Sequence, residues 1–117
     1  MVEVRFTDIV KDIMKKTGAL SVVLVSRDGL TLAGDVPPGV YTETFSIMCA
    51  TILGAAVTAA SEFNKAPPNN IEIQSSDMRM IISGVNKKII LVVVTSIDTD
   101  VSRVYSEIED SVSILRT

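Results

Sequence analysis

The chain has 117 residues, 47% of them apolar and 21% charged, with a net charge of −3. That length fits one domain, 1–117, which can bury roughly 65% of its unfolded surface, and the composition excludes a disordered chain. A pI near 4.8 without any basic stripe argues against nucleic acid, and the single cysteine, Cys49, excludes an internal disulfide and fits a reducing, cytoplasmic setting.

Val4 to Lys16 reads as a helix, because Phe6, Ile9, Val10 and Ile13 make one apolar stripe. The opening segment carries Glu3 and Asp8 and has no long apolar core, so it does not read as a signal peptide. Lys15 and Lys16 suit the last turn, and Gly18 is the expected C-cap. Ala19 to Ser26 is a β-branched strand. Asp28-Gly29 turns it into a second strand, "LTLAGD", and "VPPG" ends the hairpin. A long helix follows, from about Thr42 to Phe63.

"KAPPNN" stops that helix, and "IEIQSS" alternates apolar and polar residues as a strand with one wet face. "MRMIISGV" and "KIILVVVTS" are two more strands, joined at Asn86-Lys87. Ile89 to Val94 is an unbroken apolar run, the mark of a central strand covered on both faces. Asp98 or Thr99 should cap a last helix whose stripe is Val101, Val104, Tyr105, Ile108, Val112 and Leu115. The fold class is therefore α+β, an α/β sandwich in the order α-β-β-α-β-β-β-α. A five-stranded, mostly antiparallel sheet should carry the middle helix on one face and both terminal helices on the other.

The middle helix poses the main question. From Thr44 to Ser61 it has no charge and no proline. Phe45, Met48, Ile52, Ala56, Ala59 and Phe63 recur at helical spacing and read as the core-facing stripe. A second apolar set, Ile47, Ala50, Leu53, Gly54, Val57 and Ala60, lies apart from it, with Thr44, Thr51 and Thr58 between. Three covers are open. A lipid span is short at ~27 Å against ~30 Å, rich in Ser, Thr and Ala, and flanked by strands that need a sheet. Burial in its own core is hard for a helix alone on its face. A second chain fits best, since small residues let backbones approach closely.

The "IEIQSS" strand, if it is a sheet edge, is guarded only by Glu72, which invites pairing with another chain. A two-fold homodimer would satisfy both needs. Its expected interface is Ile47, Ala50, Thr51, Gly54, Ala55, Val57 and Thr58 of the helix, with Ile71, Glu72, Ile73 and Gln74 of the strand.

Gly18-Ala19, the strand after it, the Asp28-Gly29 turn, Leu30 and Ala33 resemble the signature of the Roadblock family, named for a dynein light chain. The Ala-rich middle helix and the three closing strands are similar too. The resemblance covers nearly the whole chain, and "APPNN" before the third strand departs from it. It implies one five-stranded sheet between helices and a dimer through the middle helix and third strand. It also implies a platform or regulator of a small Ras-like GTPase, or an adaptor in motor and membrane-signalling complexes; some such regulators accelerate GTP hydrolysis by reshaping the GTPase's active site rather than by donating an arginine. No catalytic or partner-contacting residue is carried over.

The residue inventory holds little chemistry of its own. With no histidine and one cysteine, a Ser-His-Asp or Cys-His arrangement and an ordinary zinc site are impossible. Cys49 reads as a buried hydrophobe, Asp98 and Asp100 as capping residues, and Lys87 and Lys88 as a solvated turn without phosphate-loop spacing. Arg27 and Asp28 read as an exposed hairpin tip, and Met78 and Met80 as core filling. The expectation is thus a non-enzymatic homodimer with no cofactor and no metal, which binds a small GTPase and neither nucleic acid nor the membrane interior. The alternatives are a small-molecule sensing module and an assembly adaptor without effect on a GTPase.

Overall fold

The computed structural model describes the backbone of residues 2–116 and the side chains of residues 5–115. The elements are α1 (Val2–Thr17), β1 (Ser21–Ser26), β2 (Thr31–Asp35), α2 (Thr42–Ser61), β3 (Asn70–Gln74), β4 (Met78–Gly84), β5 (Ile89–Ser96) and α3 (Val101–Arg116). They form one antiparallel sheet in the order β2-β1-β5-β4-β3. The β1–β2 hairpin and the β3–β4–β5 meander meet where β1 pairs with β5. The apolar run of β5 is central, as its sequence requires, and "IEIQ" forms an edge.

Alternation along the strands divides the core in two. Val22, Leu24, Ile81, Leu91 and Val93 face Ile9, Val10 and Ile13 of α1 and Val104 and Ile108 of α3. Val23, Val25, Ile82, Ile90, Val92 and Val94 face Cys49 and Leu53 of α2. The terminal helices therefore share one face and the middle helix takes the other.

Turn chemistry sets the ends. Gly18 adopts φ 67° and donates its N–H to Met14, closing α1. Gly29 adopts φ 97° in the first hairpin. A Cβ there would lie 3.3 Å from the Ile47 side chain, so this turn also needs glycine for room. Of the residues read as caps of α3, Asp100 takes the role, rather than Asp98 or Thr99: it accepts the Ser102 N–H at 3.0 Å. Asp98 and Thr99 belong to the preceding turn, where their N–H groups turn back to Ser96.

Candidate functional site

The rotation of α2 differs from the sequence expectation. Its buried residues are Ser46, Cys49 and Leu53. Of the expected core stripe, Met48 is 55% exposed and Phe63 76% exposed, Ala59 is exposed, and Phe45, Ile52 and Ala56 are half-buried. Apolarity alone could not orient a helix that is apolar on two flanks. The contacts that orient it are to the first hairpin: the hydroxyls of Ser46 and Thr31 share a hydrogen bond, and Ile47 lies over Gly29.

This seat has a consequence. The helix packs on β1 and β2, toward one side of the sheet. Its flank carrying Phe45, Met48, Ile52, Ala59 and Phe63 faces away from that hairpin, toward β4. There Ile71 and Ile73 of β3 and Met78 and Met80 of β4 are only half-buried. The half-burial of Met78 and Met80 makes them core filling on one side and open surface on the other. Beside them, an apolar cleft of about 200 Å³ is lined by Leu20, Ser21, Pro37, Val40, Phe45, Met78, Met80 and Val94.

The expected interface residues separate on this geometry. Ala55 is exposed, and Ile71 and Ile73 lie on the open part of the α2 face. Ala50 and Val57 pack, in part, on their own core. Ile47, Thr51, Gly54 and Thr58 are exposed, and Thr51 and Thr58 turn their hydroxyls back to the carbonyls of Ile47 and Gly54. Glu72 and Gln74 point to the opposite face of the sheet. Glu72 accepts bonds from Tyr105 at 2.7 Å, Gln74 at 2.6 Å and Arg79 at 3.2 Å. These bonds, led by Tyr105, hold the Glu72 carboxyl below the usual glutamate range. Burial, with Glu72 as acceptor, pushes Tyr105 up to about 12.

The chemistry-bearing residues are placed as structural ones. Cys49 is 1% exposed, and burial pushes its thiol up to about 11. No group of three or more possible metal ligands occurs among the described residues. Lys87 and Lys88 are exposed. Arg27 is exposed but not free: its guanidinium donates to the Asn86 carbonyl at 2.7 and 3.1 Å and ties the two hairpin tips together. Among the described residues one helix, α2, is long and apolar enough to cross a membrane by length and composition. Doing so would strip Cys49 and Leu53 from the sheet.

What the geometry presents, then, is an apolar helix flank beside an edge strand paired on one side only, on a sheet of fixed strand order. The Roadblock/LC7 domain model matches this chain over residues 5–95. The chain belongs to the Roadblock/LC7 domain family. No curated protein matches it in sequence. Among solved structures, MglB from Myxococcus xanthus is similar at a TM-score of 0.92 with 17% identity, covering 97% of this chain and 86% of that one. A structure titled MglB with tetrameric arrangement is similar at 0.88 with 19% identity, covering 97% and 86%. A Roadblock/LC7 domain from Streptomyces avermitilis is similar at 0.87 with 14% identity, covering 94% and 93%. At such identities the likeness shows the fold. The Roadblock/LC7 match ends at residue 95, whereas the structural likeness takes in α3 as well.

Proposed function

We propose that this Roadblock/LC7 chain is a non-enzymatic, cytoplasmic homodimer that binds a small Ras-like GTPase and regulates it, stimulating GTP hydrolysis by reshaping the partner's site rather than by an arginine finger. The observation that carries the reading is the open flank of α2 next to the edge strand β3, on a Roadblock/LC7 fold. Membership of a family whose members serve as platforms for such GTPases supports the functional half. The likeness in fold to MglB, including one structure with a tetrameric arrangement, supports self-association. The sensing alternative has less support, because the sheet-facing row of α2 is filled by Ser46, Cys49 and Leu53.

In this reading the dimer closes over β3 and β4. Ala55, Ile71 and Ile73 of the expected interface take part, joined by Met48, Ile52 and Ala59 of the same flank. Glu72 serves from behind, accepting from Tyr105 of α3 and from its strand neighbour Gln74, while the backbone of β3 stays open to a second β3. The test is capture of a Ras-like GTPase from the same source, loaded with GDP or with a GTP analogue, followed by its hydrolysis rate with and without this protein. Nucleotide-dependent capture with a changed rate is expected. Capture with an unchanged rate would make the protein an adaptor, and no capture in either state would overturn the GTPase reading.

A further inference from the structure

On the face of the sheet opposite α2, a cleft of about 220 Å³ lies between α3 and the outer strands. Asn70 of β3 and Ser83 of β4 line its sheet side, and Tyr105, Glu109 and Ser113 of α3 line its helix side. At one end Tyr105 reaches across to Glu72. Ile108, 3% exposed, and Val112 add an apolar wall. A cleft below the roughly 300 Å³ of drug-sized sites suits a compact molecule, and convergent polar groups on an apolar wall mark a binding site.

The polar groups are placed but not satisfied. Ser83 is 1% exposed and donates to Asn70 Oδ1 at 2.6 Å. That bond fixes the Asn70 amide and leaves its Nδ2 a donor without a partner among the described residues. Glu109 has neither a hydrogen bond nor an ion pair among the described residues. No Lys or Arg lines the cleft, and none stands three or four positions from Glu109 on α3. Arg79, on the same face, is committed to Glu72 and to the Ile97 carbonyl. The cleft therefore offers a carboxylate to a cation and an amide N–H to an acceptor. It offers nothing to balance a second carboxylate beside Glu109.

We propose that this cleft binds a small apolar amino-acid derivative whose carboxyl is masked as an amide. Its ammonium group pairs with Glu109, its carbonyl accepts from Asn70 Nδ2, and its side chain lies on Ile108 and Val112. A bound molecule joins α3 to β3 and β4, and so stiffens the edge strand that Tyr105 already holds. The inference does not rest on the homodimer, because the cleft and the open flank of α2 lie on opposite faces of the sheet.

The test titrates leucinamide, and separately free leucine, into isotope-labelled protein followed by amide NMR, at about pH 6.5, below the α-amino range. Leucinamide should shift the amides of Asn70, Ser83, Glu109 and Ser113 to saturation, and leucine should bind at least tenfold more weakly. Glu109→Gln, at an exposed position, should weaken leucinamide at least tenfold, about the worth of one charge-assisted hydrogen bond. Asp110→Asn removes the same charge on the side of α3 that acts on Lys16, and should leave the affinity unchanged. Asn70→Ala keeps Glu109 and removes the donor to the carbonyl, so it too should weaken leucinamide. Absence of saturable shifts at these residues, or equal binding of leucine, would overturn the site. Equal losses in Glu109→Gln and Asp110→Asn would reduce the binding to general surface charge and overturn it as well, and an unchanged affinity in Asn70→Ala would overturn the seat of the carbonyl.

Discussion

Tyr105 Oη donates a 2.7 Å hydrogen bond to Glu72 Oε1 and so ties the last helix to the outermost strand of the sheet. The edge strand is paired on one side only, and this bond is one of its few other restraints. Tyr105→Phe keeps the ring and removes the donor. It should lower stability by about 1 kcal/mol, a fall in Tm of about 4 °C. Amide exchange should quicken in β3 before β5, and equal exchange in both strands would show that the bond does not hold the edge.

The same carboxylate sets an acid limit. Its folded pKa is lowered, mainly by the Tyr105 and Gln74 bonds, so the stability it contributes is present above the ordinary Glu value and lost as pH falls through the folded one. Urea midpoints should therefore drop below about pH 5, and Glu72→Gln should flatten that drop. On the alkaline side Tyr105 is raised to about 12, so its contribution holds below 10.0, the ordinary tyrosine value, and is lost as pH rises through the folded one. Tyr105→Phe should remove that alkaline loss. Identical pH profiles for Glu72→Gln and the wild type would remove Glu72 as the cause.

Cys49 should behave as a core atom. At 1% exposure and with its thiol raised to about 11, it should resist a thiol reagent at neutral pH and react fully in denaturant. Cys49→Ser puts a hydroxyl in the α2 core and should destabilise by about 1–3 kcal/mol, more than Cys49→Ala relative to its lost volume. Rapid labelling of the native chain would mean that α2 lifts from the sheet.

Most of the fold was readable because each rule pointed one way. The apolar run Ile89–Val94 required a central strand, the Asp28-Gly29 pair a tight turn, and the stripes of α1 and α3 a one-sided cover. The cap of α3 was less readable, since Asp98, Thr99 and Asp100 are all competent caps and only the turn geometry chooses among them. The rotation of α2 was hidden for a clearer reason. Its core row includes the polar Ser46, satisfied by Thr31 from another element, while the more continuous apolar stripe is the open one. The Glu72–Tyr105 bond spans 33 residues and leaves no local trace.

That rotation can be checked on the two flanks of α2. Gly54 has nothing within 4 Å of a built Cβ, so Gly54→Ala should stabilise the helix by about 0.5–1 kcal/mol and leave association intact. Ala59→Leu sits on the open flank and should weaken association while sparing the monomer fold. Leu53→Ala, in the core row, should instead cost about 2–5 kcal/mol of folding stability. If Gly54→Ala loosened the dimer and Ala59→Leu did not, the interface would lie on the flank of Gly54.

The most direct test of the central claim, that a second copy covers the open flank of α2, is the mass of the protein in solution. Sedimentation equilibrium across the micromolar range should give twice 12.6 kDa, with Met48 and Phe63 protected from solvent in the dimer. A mass of 12.6 kDa that persists to the highest attainable concentration, with both side chains still open to water, would contradict it.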